Sequence, residues 1–288
     1  MRGELRAAPD KRVGMLRSNG DALPAGRSEG SRTVSPFVSF VGAGPGEAEL
    51  ITLKAVRRLR EAAVIIHDGL IPREVLEYAR DDAEVIDVGK APGRQYVGQP
   101  EINWLLVERA RRRGRVVRLK GGDPGVFARL AEEIEAVRGG GVCFEIVPGV
   151  SAAMAAAARA GISLTERASA STLVFASGSD QHGKLPELDW ELLARTESTL
   201  VFYMAVGTME SITSTLTALG RDAREPALIV ERCGFRDEQM VAGRLGDIAE
   251  RAHRAGVRSP ALLLIGSTVA AASAPITVAR LTTVVASV

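Results

Sequence analysis

Short apolar runs of four or five residues recur along this chain, and stretches with helical spacing separate them. The first set falls at 37–41, 64–67, 84–88, 115–119 and 143–147. Runs this short and this rich in Val, Ile, Leu and Phe predict strands. Between them the spacing predicts helices over 53–62, 73–79, 101–112 and 128–137. In the third of these, Ile102, Leu105, Leu106 and Ala110 recur at helical intervals and the arginines fall elsewhere. Such alternation predicts a mostly parallel sheet covered by helices. An Ala-rich helix around 151–160 then leads into a second set, with strands at 172–176, 199–203, 227–231 and 261–265 and helices at 190–194, 209–219 and 245–255. The expected organisation is α/β throughout: one domain over 36–152 and a second over 153–270. Residues 1–35 lack apolar periodicity and are rich in Arg, Gly and Ser, so a disordered extension is expected there. Glu4, Asp10, Asp21 and Glu29 argue against a transit peptide. Residues 271–288 form a tail with no functional reading.

The ends of the strands carry the candidate chemistry. Ligands of α/β proteins bind at the carboxyl ends of strands. The fourth strand runs into Lys120-Gly121-Gly122-Asp123-Pro124. Two glycines there let backbone approach a ligand. A tight turn with an Asp cap explains the same residues. After the first strand comes Gly42-Ala43-Gly44-Pro45-Gly46. It departs from the dinucleotide fingerprint, because Gly46 comes one residue early and Pro45 offers no N–H. Asp68 stands about 22 residues beyond Gly46, a weak match to the acidic residue of that fingerprint.

Composition narrows the classes. Apolar residues make up 46% of the 288, enough for substantial cores, and the net charge of +2 gives no nucleic-acid footprint. Cys143 and Cys233 form neither a metal-spaced pair nor a disulfide framework. His67, His182 and His253 are scattered, so no metal is expected. No apolar run of about 18 residues exists, and none is expected to span a membrane. A soluble, reduced, cytoplasmic protein is the expectation. Arg outnumbers Lys, which suits carboxylate recognition, although a GC-rich coding sequence accounts for the same bias.

Six short motifs occur together in a telling order. They are Val41-Gly42-Ala43-Gly44-Pro45-Gly46; Val88-Gly89-Lys90 with Gly93-Arg94; Gln99 with Glu101-Ile102-Asn103; Gly121-Gly122-Asp123-Pro124; Arg129 with Glu132-Glu133; and Val147-Pro148-Gly149-Val150-Ser151-Ala152. From about Phe37 to about Gly266 this order and spacing resembles the tetrapyrrole methylases, and within them the branch that acts on uroporphyrinogen III. The resemblance implies two α/β domains with the active site in the cleft between them. It implies C-methylation of uroporphyrinogen III at C2 and C7 by S-adenosylmethionine, giving precorrin-2 and S-adenosylhomocysteine. It also implies a homodimer.

By the same resemblance Pro45, Gly121, Gly122, Asp123, Val126, Ser151, Ala152 and Met204 contact the cofactor, and Cys233 or Gly234 supplies a further contact. Met204 at a strand end also reads as ordinary core packing. Asp68 matches the proton acceptor and Lys90 the proton donor; by themselves they read as a turn residue and a surface lysine. Arg129, Glu132 and Arg167 match positions near the substrate, whose eight carboxylates call for Arg forks. Arg129 with Glu132 or Glu133 also reads as a helix-surface ion pair. Gly125 and Leu130-Ala131 depart from the branch pattern, and the stretch around Gly125 is closer to later precorrin C-methyltransferases. A dinucleotide-dependent oxidoreductase and a non-catalytic tetrapyrrole-binding protein are the rivals from other classes.

Overall fold

A computed structural model describes residues 35–89 and 97–272. The first half builds one sheet from β1 (Phe37–Gly42), β2 (Val64–His67), β3 (Glu84–Asp87), β4 (Arg115–Lys120) and β5 (Cys143–Val147). Its order is β3-β2-β4-β1-β5, and every pair is parallel. Alternate residues of the strands point to opposite faces. Val38, Phe40, Val64, Ile66 and Val116 pack on one face with Leu106. Val41, Ile65, Val117 and Leu119 pack on the other with Leu59. The covering helices are α1 (Leu53–Glu61), α2 (Arg73–Leu76), α3 (Gln99–Arg113) and α4 (Leu130–Gly139). α1 starts where it does because the Thr52 side chain accepts from the N–H of Ala55 at 3.2 Å.

The second half builds another sheet from β6 (Thr172–Ser177), β7 (Ser198–Tyr203), β8 (Pro226–Glu231), β9 (Gln239–Arg244) and β10 (Ala261–Ile265). Its order is β6-β7-β10-β8-β9. Only β6 and β7 pair in parallel; the other pairs are antiparallel. α5 (Ala152–Ala160) lies against one face of this sheet. Its small side chains explain the Ala-rich sequence: Ala153, Ala156 and Ala157 pack against Val201, Leu228, Leu262 and Leu264. The opposite face packs Leu200, Phe202 and Leu263 against α7 (Met209–Ala218) and α8 (Ile248–Arg254), with α6 (Trp190–Arg195) at its side. Among the described residues, no helix is long and apolar enough to cross a membrane.

Several elements depart from the pattern reading; α2, for one, ends at Leu76 rather than 79. β9 is an edge strand, half-exposed along most of its length, and its Met240-Val241-Ala242 run has no polar alternation to reveal it. α8 begins at Ile248 rather than 245, because Leu245 and Gly246 donate back to the carbonyls of Glu225 and Ala223. α4 begins at Leu130, because Arg129 takes a left-handed conformation with φ 55°.

One surface cluster makes acid sensitivity testable. Glu145 on β5 accepts from Arg58, from Lys54 Nζ at 2.8 Å and from Ser39 Oγ at 3.0 Å. The Arg58 hydrogen bond is the main reason its carboxyl falls to about 2. A carboxyl held below its unfolded value stabilises above pH ~4.5, and that gain is lost as pH falls toward ~2. Glu145→Gln should therefore cost about 2 kcal/mol at pH 7, after a discount for partial solvent screening. Urea titrations at several pH values should show the gap to the parent closing between pH ~5 and ~2; a gap independent of pH would refute this.

Candidate active site

Loops at the carboxyl ends of the first sheet meet loops of the second around a cavity of about 590 Å³, well within the range of small-molecule sites. Its wall combines Gly44, Pro45 and Gly46 after β1, Asp68 after β2, Gly121 to Asp123 after β4, and Val126 to Ala128. Ser151 and Ala152 come from the start of α5, Tyr203 and Met204 from the end of β7, and Arg232 and Cys233 from the end of β8.

The glycines make this wall possible. The backbone of Gly44 and Gly122 pairs in a short antiparallel bridge. A Cβ on Gly149 would lie 2.3 Å from the Gly122 carbonyl oxygen, and one on Gly42 would lie 2.6 Å from it. Neither position accepts a side chain without moving the loop. On Gly121, by contrast, a Cβ would approach only the Leu70 carbonyl, at 3.9 Å, so the space in front of it belongs to the cavity. Asp123 fixes the turn: its Oδ1 accepts from Gly125 N at 2.8 Å and its Oδ2 from Gly149 N at 3.0 Å. Each oxygen keeps a second lone pair for a ligand hydroxyl.

Asp68 directly follows β2 at the cavity edge, with its side chain 36% exposed. Arg118 Nη2 donates to its Oδ1 at 2.5 Å. Arg118 is buried inside the sheet, and its Nε donates to Glu133 Oε1 at 3.1 Å. Lys120 Nζ donates to the same oxygen at 2.9 Å, and Gln99 Nε2 does so at 3.3 Å. Four charges thus run inward from the wall as a balanced chain, Asp68, Arg118, Glu133 and Lys120. Burial, more than the nearby Arg118, pushes the Lys120 ammonium below its ordinary value. Glu133 Oε2 is buried and has no hydrogen-bond partner among the described residues.

An aromatic corner closes the other side. Phe127 and Tyr203 rings approach to 4.9 Å. Tyr203 OH and Ser151 Oγ share a 2.6 Å hydrogen bond, and Ala153 N donates to Tyr203 OH at 3.2 Å. This ties β7 to the start of α5, and burial pushes the Tyr203 phenol upward. Phe127, Met204 and Arg232, all on the wall, have φ of 51°, 55° and 47°. Left-handed backbone at residues other than glycine costs on the order of 1–3 kcal/mol and clusters at ligand sites.

The donor set bears on the cofactor. A dinucleotide fingerprint would set its pyrophosphate on the N-terminus of the helix that directly follows β1. Here Pro45 has no N–H, a 3-10 turn over Ala48–Leu50 follows, and α1 opens only at Leu53 with its first turn capped by Thr52. Two carboxylates and one guanidinium are the charged groups on the described wall, and the remainder is largely apolar. That suits a nucleoside without phosphates. Among the described residues, no cluster of three or more His, Cys, Asp or Glu could hold a metal ion.

The family model of the tetrapyrrole (corrin/porphyrin) methylases matches residues 38–249. The chain belongs to the tetrapyrrole methylases. Among solved tetrapyrrole methylases, a uroporphyrin-III C-methyltransferase from Thermus thermophilus, crystallised with S-adenosyl homocysteine, is 43% identical. It aligns with a TM-score of 0.70 over 81% of this chain and 98% of that one. A cobalt precorrin-4 methyltransferase is 25% identical, with a TM-score of 0.74 over 86% of this chain and 100% of that one. Siroheme synthase 1 of Aeromonas salmonicida is 44% identical over 234 residues, 81% of this chain and 49% of that protein. The chain spans about half the length of the curated relatives it matches.

In this tetrapyrrole methylase the positions matched to cofactor contacts converge. Pro45, Gly121, Gly122, Asp123, Val126, Ser151, Ala152, Met204 and Cys233 all line the cavity, as does Asp68. Gly234 does not: a Cβ there would lie 2.2 Å from the Pro45 carbonyl oxygen, so it packs the two loops together behind the wall. Met204 is 49% exposed and faces the cavity rather than the core. Burial pushes the Cys233 thiol up to about 12. Lys90 lies outside the described residues. Arg129, Glu132 and Arg167 are exposed and not part of the wall. Arg129 and Glu132 make a two-pronged pair, at 2.8 and 2.7 Å. The sequence reading missed Arg118, Phe127, Tyr203 and Arg232. Two charged residues inside the apolar β4 run, Arg118 and Lys120, were the signal available for the buried charges.

Proposed function

We propose that this chain methylates ring carbons C2 and C7 of uroporphyrinogen III, with S-adenosylmethionine as methyl donor, to give precorrin-2. The observation that carries the reading is one cavity whose wall gathers the positions matched to cofactor contacts, in a chain 43% identical to the Thermus enzyme across 98% of that protein. When bound, the cofactor supplies an electrophilic methyl group on a sulfonium sulfur. The open face of Gly121 and Gly122 takes its backbone-close side, and Asp123 offers lone pairs to its hydroxyls. The wall excludes water and aligns the nucleophilic pyrrole carbon with the methyl–sulfur bond. A carbon–carbon bond forms as the carbon–sulfur bond breaks, and the ring must then release a proton. Asp68 accepts it, with Arg118 keeping the carboxylate oriented.

Lys90 is assigned the proton-donor role by resemblance. Arg129, Glu132 and Arg167 are assigned to substrate carboxylates outside the wall: Arg129 directly follows Phe127 and Ala128 of the wall, and a substrate carboxylate would take the place of Glu132 on its fork. A cytoplasmic homodimer acting without nucleic acid or membrane belongs to the same reading; the family resemblance supports the dimer, and composition supports the rest. Gly125 and the 0.74 TM-score to a precorrin-4 methyltransferase favour a second reading, a later corrin-ring methylation; identity of 43% against 25% favours the first.

One assay separates them. Wild-type protein with uroporphyrinogen III and labelled methyl donor should yield a product carrying two labelled methyl groups, heavier by two CH2 units because each transfer releases a proton, with one S-adenosylhomocysteine released per methyl. S-adenosylhomocysteine at a hundred times its Kd should add about 2.7 kcal/mol of stability, and NAD none. No methyl transfer to uroporphyrinogen III, with transfer to a later precorrin, would overturn the substrate assignment.

A further inference from the structure

Asp68, Asp123 and Arg232 are the charged side chains on the described cavity wall. The two carboxylates already have internal donors: Arg118 for Asp68, and the N–H groups of Gly125 and Gly149 for Asp123. Arg232 is built differently. It sits at the end of β8 with φ 47°, a conformation an arginine adopts only when its surroundings impose it. Its backbone is held by the residue just before β10, Arg232 N donating to Pro260 O at 2.9 Å. Its guanidinium lies 4.6 Å from the centre of the Phe235 ring, which fixes the plane of the fork without using its donors. Among the described residues its carboxylate contact is Asp237, 2.6 Å from Nε, whose side chain is 65% exposed. Nε is buried but out of line for a hydrogen bond to that carboxylate. A solvent-exposed partner of this kind contributes little and exchanges readily. Arg232 is therefore an aimed fork, held by its backbone and by Phe235, with donors to spare on a wall that offers no other described cation.

We propose that Arg232 grips a ligand carboxylate in this cavity with the guanidinium donors that Asp237 leaves unused, and that Asp237 competes for the same cation. The proposal rests on the methyltransferase reading, which supplies two carboxylate-bearing ligands: the tetrapyrrole with its acid side chains and the amino-acid end of the methyl donor. The same chemistry serves either, and the experiment distinguishes them.

Arg232→Gln, Arg232→Lys and Asp237→Asn would be compared with the parent in two measurements, the kinetics of uroporphyrinogen III methylation and the Kd of S-adenosylhomocysteine. If the tetrapyrrole is gripped, Arg232→Gln raises its KM roughly ten-fold or more, the size expected for a hydrogen bond to a charged group, and leaves the S-adenosylhomocysteine Kd unchanged. If the methyl donor is gripped, the Kd rises by that factor and the KM does not. Arg232→Lys keeps charge without the fork and recovers only part of the loss. Asp237→Asn removes the competing carboxylate, so it tightens the same ligand about two-fold or more. KM and Kd both within two-fold of the parent in Arg232→Gln would overturn the grip. So would an Asp237→Asn variant that weakens binding as Arg232→Gln does, since the ion pair would then only brace the loop. Absence of methylation in the parent itself would sink the proposed activity instead, leaving the S-adenosylhomocysteine arm to judge Arg232 alone.

Discussion

Asp68→Asn should lower methyl-transfer turnover by about 10²–10⁴-fold, the usual contribution of a general base. The expectation follows from what Asn keeps and loses at this position. Its Oδ1 can still accept from Arg118 Nη2, the contact now at 2.5 Å, so the orientation of both groups survives. Its amide cannot take up the proton that the methylated ring sheds. Asp68 is 36% exposed at the cavity edge, so folding should lose little, and S-adenosylhomocysteine should bind as in the parent. Asp68→Ala should be equally slow and slightly less stable, because Arg118 then loses a partner. A structural role gives the opposite order, with Asn nearly silent and Ala costing about 1 kcal/mol. Single-turnover methyl transfer with saturating methyl donor tells these apart, and full activity in Asp68→Asn would remove this residue from the chemistry.

The difference between what the chain's pattern revealed and what it hid has a physical origin. Strand cores such as Val64–His67 and Ala261–Ile265 were legible because residues buried on both faces must be apolar in succession. The wall loops were legible because close backbone approach demands glycine, at Gly42 and Gly149 for packing and at Gly121 for ligand space. Long-range partners were not. That Arg118, in the middle of an apolar strand, meets a glutamate fifteen positions later and an aspartate fifty positions earlier is decided by the parallel register of β2 beside β4 and the lie of α4. Nor does local pattern disclose that Met204 turns left-handed at the end of β7, which converts a core-like methionine into a cavity residue. Arg129, matched to the substrate by resemblance alone, shows the converse: with Glu132 it satisfies the local i,i+3 rule, and the pair is present in the fold.

Glu133→Ala should destabilise the fold by about 3–5 kcal/mol, the cost of leaving buried charges without their partner. Its side chain is fully buried and its Oε1 receives Arg118, Lys120 and Gln99 together. Without it two cations at 2% and 3% exposure face only Asp68 and a few carbonyls. Lys120, whose ammonium burial already disfavours, loses the hydrogen bond and the charge that support it. At roughly 2–4 °C per kcal/mol for a chain of this size, the thermal midpoint should fall by roughly 6–20 °C. The damage should reach the cavity as well, because Arg118 is held on one side by Glu133 and on the other by Asp68, so methyl transfer should fall more than S-adenosylhomocysteine affinity does. The double variant Lys120→Met/Glu133→Leu removes one charge of each sign and fills the space with apolar atoms. Buried ion pairs replaced in this way commonly lose little stability. It should therefore recover at least half of the lost midpoint, while turnover stays below the parent because Arg118 still lacks its inner anchor. Calorimetry of the parent, Lys120→Met, Glu133→Leu and the double variant closes the cycle. An unchanged midpoint in Glu133→Ala would show that water or rearrangement compensates the cations, and a double variant with parental turnover would show that the inner charges brace the sheet without holding Asp68 in place.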